Sequence, residues 1–142
     1  MKPVRIDERF SVCGQISPRD VGELARAGYT TVIINRPDCE TFCQPKASAI
    51  ASAAADAGLG CAHIPVRGQD ITEQTVRTFQ KTLAESAGPV LAFCASGTRS
   101  LCLWAIGEVL DGRMAEADLM RFGADRGFNL SGAVAWLTAH GH

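Results

Sequence analysis

The chain reads as an α/β protein: a central parallel sheet of four to five strands with helices on both faces, formed by residues 1–142 as one domain. Three observations predict it. Short apolar, β-branched runs alternate with helix-patterned segments of about a dozen residues, the order that gives parallel strands and right-handed crossovers. Val90-Leu91-Ala92-Phe93 has no polar residue, as a strand buried on both faces requires. A length of 142 residues is enough for one sizeable core.

In chain order, Phe10-Ser11-Val12 is the first predicted strand. Ser17-Pro18-Arg19-Asp20 supplies an N-cap serine, proline at the first helical position and an acid in the first turn. Val21, Leu24 and Ala25 give the apolar stripe, and Gly28 ends the helix. Tyr29 to Asn35 is β-branched and apolar, and Arg36-Pro37-Asp38 must leave the strand because proline lacks a ladder donor. Residues 45–57 are alanine-rich and helix-prone, with Gly58 and Gly60 closing them before a strand over Cys61 to Val66. Thr72 is placed to cap a helix with Val76, Phe79 and Leu83 on one face, ending near Gly88. After the central strand, Leu101, Leu103, Trp104, Ile106, Val109 and Leu110 predict a buried helix starting near Arg99, and Asp111-Gly112-Arg113 breaks it. Helical segments over about 115–122 and 130–139 follow, with Trp136 and Leu137 as packing residues.

Charged residues make up 20% of the chain and the net charge is −1, so neither nucleic acid nor a membrane surface is the expected partner. The first ten residues contain no apolar signal core and no run approaches the roughly 18 apolar residues of a membrane span, so a cytoplasmic protein is expected. Six cysteines without dense, regular spacing suggest reduced thiols. Cys13, Cys61 and Cys102 are read as core residues, and so is His63 in its apolar strand. His140 and His142 are terminal, and the C-x3-C pair of Cys39 and Cys43 lacks the second pair of a zinc site. No metal or cofactor is expected.

Function is concentrated at the turn from strand to helix after Phe93. Ala95-Ser96-Gly97-Thr98 is small and turn-prone, and successive N–H groups of such a loop point inward at the positive end of the helix dipole, forming a cup for an anion. Cys94 stands in that cup, where the same field favours a thiolate, and is the candidate nucleophile. Arg99 adds a planar, forked cation suited to a tetrahedral oxyanion. Gly97 permits a positive φ or a close backbone approach, and Ser100 is placed to donate its hydroxyl to the sulfur. Ligands of parallel sheets bind at the carboxyl ends of the strands, which brings Arg36, Asp38, Arg67 and Asp70 to the same rim. Cys39 and Cys43 lie just beyond and are candidate resolving thiols.

The segments Gln15-Ile16-Ser17, Ile34-Asn35-Arg36-Pro37-Asp38, Gln44-Pro45, His63-Ile64-Pro65-Val66, Gly88-Pro89-Val90 and Cys94 through Ser100 together resemble the bacterial β-lactamase-hydrolase-like, phosphatase-fold family. The resemblance runs in order over nearly the first 110 residues. It implies a fold like that of protein tyrosine and dual-specificity phosphatases and the same Cys94 site. Some members are fused to a metallo-β-lactamase-type persulfide dioxygenase, which implies a link to sulfide and persulfide metabolism and such a dioxygenase as a partner. Ala95 stands where the family often has a basic residue, and Phe93 where many phosphatases have histidine, so the loop is less polar.

Phosphatase loops are similar to C-x5-R, whereas here four residues separate Cys94 from Arg99, giving C-x4-R as in rhodanese-like sulfurtransferases. The main expectation is therefore sulfur transfer through a Cys94 persulfide, with thiosulfate or glutathione persulfide as donor and a thiol as acceptor. Departing sulfite or thiolate needs little protonation. The first alternative is a phosphatase working through a Cys94 phosphocysteine on a phosphorylated substrate, with Asp70 or Asp38 as general acid. The second is a non-catalytic redox or anion-sensing module.

Overall fold

The structure, a computed structural model, describes all 142 residues. Its strands are β1 (Val4–Arg5), β2 (Phe10–Cys13), β3 (Thr31–Ile34), β4 (Gly60–His63) and β5 (Val90–Phe93), and its helices are α1 (Pro18–Arg26), α2 (Ala47–Asp56), α3 (Glu73–Glu85), α4 (Thr98–Leu110), α5 (Leu119–Asp125) and α6 (Ser131–Ala139). The five strands form one sheet in the order β1-β2-β5-β3-β4. β2, β5, β3 and β4 are parallel, and β1 adds an antiparallel edge to β2. β1 escaped the sequence reading because two residues carry no period to detect.

Alternation along the strands divides the core in two. Phe10, Val12, Ile33, Val90 and Ala92 face α3, α4 and α6, while Cys13, Val32, Ile34, Leu91 and Phe93 face α1 and α2. On the first side Trp104 stacks between Phe10, at 6.0 Å, and Phe122, at 5.5 Å. Trp136 is buried there too and donates its indole N–H to Ile71 O at 2.7 Å, so a large apolar ring enters the core without orphaning its donor.

Local signals explain the element ends. Asp20 accepts the Ser17 N–H at 2.8 Å to start α1, Thr72 Oγ1 accepts the Thr75 N–H at 3.1 Å to start α3, and Gly28 leaves α1 with φ 98°. Residues Ser100 to Gly107 of α4 are all buried, so this helix runs through the core rather than over it. The segment predicted over 115–122 is a 3₁₀ turn, Glu116–Asp118, followed by α5.

One group of expectations is corrected. Cys61 and His63 are exposed, not core, because β4 is an edge strand and shows most of its residues to solvent. Its strand also stops at His63 instead of Val66, since Pro65 cannot donate to a ladder. Cys13 and Cys102 are buried as expected.

Candidate anion-binding active site

β5 delivers Cys94 to the sheet's carboxyl edge, and α4 begins four residues later at Thr98. Cys94 is fully buried, and the Gly97 N–H donates to its Sγ at 3.0 Å. Gly97 is required twice over. Its φ is 96°, and a Cβ there would stand 3.1 Å from Phe128 and 3.3 Å from the backbone of Cys13. The loop is sealed behind by the Gln15 N–H, which donates to Ala95 O at 3.3 Å. In front, Ala95 and Ser96 are exposed, and Ser96 Oγ donates to Thr98 Oγ1 at 3.1 Å. The cup thus has an open lip, a buried sulfur and the head of a buried helix beneath it, where the dipole is screened little by solvent.

Arg99 is clamped. Its Nη1 donates to Glu40 Oε2 at 2.8 Å and to Val66 O at 3.0 Å, and its Nη2 donates to Glu40 Oε1 at 2.8 Å. A guanidinium has about five N–H groups, so the Nε–H and one Nη2–H remain, and they form the side-on edge of the fork. That edge can take two oxygens of an anion while the end-on edge holds Glu40. The Arg99 pKa is raised, first by the hydrogen-bonded Glu40 and, more weakly, by the nearby Cys94 sulfur.

Glu40 is the residue that sequence reasoning missed. Arg36 Nε donates to Glu40 Oε1 at 3.0 Å, so one carboxylate bridges two arginines, and their hydrogen bonds, that of Arg99 foremost, hold its pKa at about 2. Arg36 also donates from Nη1 to Gln15 Oε1 at 3.0 Å and is 8% exposed. A partial signal was present: two arginines expected at one rim call for a counter-charge, and Asp38 and Glu40 are the two acids between Arg36 and the next helix.

The buried Ser100 hydroxyl does not serve the sulfur as expected. It donates to Asn35 Oδ1 at 2.8 Å, an orientation enforced because Asn35 Nδ2 donates to Ile64 O at 2.8 Å. Asp38 is committed as well, its Oδ1 accepting the Ala47 N–H at 2.8 Å where α2 begins. Arg67 and Asp70 are exposed and meet each other only through the backbone, the Asp70 N–H donating to Arg67 O at 2.9 Å. Cys39 and Cys43 are exposed free thiols, both with φ 65°. So the structure gathers Cys94, the loop amides, Arg99, Arg36 and Glu40, and leaves Arg67, Asp70, Cys39 and Cys43 around them without a bond to the cup. No group of three or more His, Cys, Asp or Glu side chains is arranged for a metal ion.

This arrangement can bind an oxyanion and present a sulfur to it. The remaining buried thiols cannot compete, because burial pushes Cys13 up to about 12 and Cys102 up to about 11.

Residues 4–111 match the family described as Beta-lactamase hydrolase-like protein, phosphatase-like domain. A Beta-lactamase hydrolase-like protein of Agrobacterium fabrum is 44% identical over 137 residues, which are 96% of this chain and 32% of that protein. The Xylella fastidiosa protein of the same description is 43% identical with the same coverage, so the chain spans about a third of the length of the curated relatives it matches. Among solved structures, a candidate phosphatase from Neisseria meningitidis is 32% identical with a TM-score of 0.84, covering 96% of each chain. Tk-PTP in its active form shares the fold at 18% identity, TM-score 0.70, with 96% of this chain and 94% of that one covered. With the protein tyrosine phosphatase-like sheet and the Cys94–Arg99 loop in place, the chain belongs to the β-lactamase hydrolase-like family, in its phosphatase-like domain.

Proposed function

We propose that the protein is a cysteine-dependent, phosphatase-type hydrolase. The observation that carries this reading is the Gly97 N–H aimed at Cys94 Sγ at the head of α4, beside the free edge of Arg99. The family and its phosphatase-fold neighbours support the same reaction class. Cys94 sulfur attacks the phosphorus of a monoester; an S–P bond forms, the bond to the leaving oxygen breaks, and Arg99 with the loop amides holds the equatorial oxygens. Water then attacks phosphorus, the S–P bond breaks, and phosphate and the thiolate are released. Asp70 is the rim carboxyl group free for this role, since Glu40 is held ionised by two arginines and Asp38 caps α2: as the acid it protonates the leaving oxygen, and as the resulting carboxylate it takes the proton of the attacking water.

That scarcity of acids, together with the short C-x4-R loop, favours a second reading, sulfur transfer, in which the leaving group needs no proton. Here Cys94 attacks the outer sulfur of thiosulfate or a persulfide, an S–S bond forms as the donor's S–S bond breaks, and an acceptor thiolate later takes the sulfur. One experiment decides: an aryl phosphate is compared with thiosulfate and glutathione persulfide on the wild type and on Cys94→Ser. Phosphate release abolished by Cys94→Ser supports the hydrolase. Sulfur transfer without phosphate release, accompanied by a persulfide on Cys94 in peptide mass mapping, replaces it with the sulfurtransferase. Turnover of neither, with reversible oxidation of Cys94, leaves the sensing module.

A further inference from the structure

Between β3 and α2 the loop of residues 39–46 borders an open surface hollow of about 420 Å³ that the chemistry above leaves unused. The loop is firmly tied. Gln44 Oε1 accepts the N–H groups of Glu40 and Thr41 at 3.1 and 3.3 Å, and Gln44 Nε2 donates to Pro37 O at 2.8 Å. Cys39 and Cys43 hold left-handed φ values that non-glycine residues adopt only when their surroundings impose them. Despite this order, Phe42 stands 96% exposed, about twice the exposure of the next two large apolar side chains, Met1 at 44% and Met120 at 46%. Single exposed apolar residues are common, and the position of this one is what matters. The same hollow is lined by Glu40, whose carboxylate lies on Arg99, and by Lys46, an exposed cation outside every ion pair of the protein. A tied loop thus sets a phenyl ring and an unpaired ammonium around a hollow that meets the anion-binding arginine through Glu40.

We propose that this hollow is a subsite for the organic part of the substrate, taking an apolar or aromatic segment against Phe42 and a second negative charge at Lys46. It rests on the reading of Cys94 and Arg99 as the site of the reacting anion. The substrate class is then an organic anion with two charged ends joined by an apolar portion. Aromatic contact of this kind corresponds to about a threefold to tenfold gain in affinity. The test is made by binding, with Cys94→Ser protein titrated calorimetrically with inorganic phosphate, phenyl phosphate and 4-carboxyphenyl phosphate. Affinity is expected to rise in that order. Phe42→Ser should remove the gain of phenyl phosphate over inorganic phosphate, and Lys46→Met only the gain due to the carboxylate. Binding of inorganic phosphate without an aryl gain, or an aryl gain that survives Phe42→Ser, overturns the subsite alone. A carboxylate gain that is absent or survives Lys46→Met overturns the Lys46 part. Aryl ligands held through Phe42 with no affinity for inorganic phosphate overturn the anion cup and keep the subsite, and no binding by any of the three overturns both.

Discussion

At the scale of single residues, Glu40 shows how a charge can be essential to a site without touching the reacting atoms. Its carboxylate fixes the guanidinium of Arg99 and is itself fixed by Arg36. Its pKa falls from 4.5 to about 2, with the Arg99 hydrogen bond the largest cause. A depressed carboxylate contributes stability that is complete above its ordinary value and is lost as the pH falls through the folded one. The stability difference between wild type and Glu40→Gln should therefore hold steady above pH 4.5 and shrink between 4.5 and about 2. Urea unfolding at pH 6, 4, 3 and 2.5, taken as measuring points about this window, checks it, and a difference independent of pH would remove the carboxylate's charge from the account. The sequence showed Cys94, Gly97 and Arg99 because strand, small loop and helix are adjacent in the chain. It did not single out Glu40, because Asp38 is a second acid in the same stretch and the pairing of Glu40 with Arg99 spans 59 residues.

Among the elements, Asn35 is the joint. Its N–H donates to Phe93 O at 2.8 Å, its carbonyl accepts the Val66 N–H at 3.0 Å, and its side chain binds Ile64 O and the Ser100 hydroxyl. One buried residue, through its backbone and its side-chain amide, thereby links the ends of β3 and β5, the chain leaving β4, and the first turn of α4. Removing one partner leaves another buried polar group unsatisfied, at a cost of about 1–3 kcal/mol per group. Asn35→Ala and Ser100→Ala should each destabilise, and the double variant should be less destabilised than the sum, by about 1 kcal/mol of coupling. Denaturant unfolding of the four proteins measures it, and strict additivity would show that the bond contributes nothing. Sequence patterning placed Asn35 and Ser100 correctly but assigned Ser100 to the sulfur. A hydroxyl's partner depends on which tertiary acceptor is nearer, and neighbours along the chain do not reveal that. The same limitation explains β4: an apolar run reads alike in the middle and at the edge of a sheet.

For the molecule as a whole, the sheet and its two cores sort six chemically equal thiols into different environments. Cys39 and Cys43 are exposed, whereas burial keeps Cys13 and Cys102 protonated at any pH near neutral. Cys61 is exposed on its edge strand, though desolvation of the sulfur still raises its pKa. Iodoacetamide at neutral pH should thus modify Cys39 and Cys43 and spare Cys13 and Cys102 until the protein unfolds, as peptide mapping with and without denaturant would reveal. Early labelling of Cys13 or Cys102 would contradict the packing of both cores. The partly engaged guanidinium of Arg99 has a consequence for the ions that surround any such protein in solution. Its vacant edge offers two parallel N–H groups fixed in direction by Glu40 and Val66. A tetrahedral oxyanion answers both with separate oxygens, while a halide can meet them only as a single sphere. The pocket is therefore expected to sort background electrolytes by shape before charge, with abundant chloride a poor competitor and sulfate a good one.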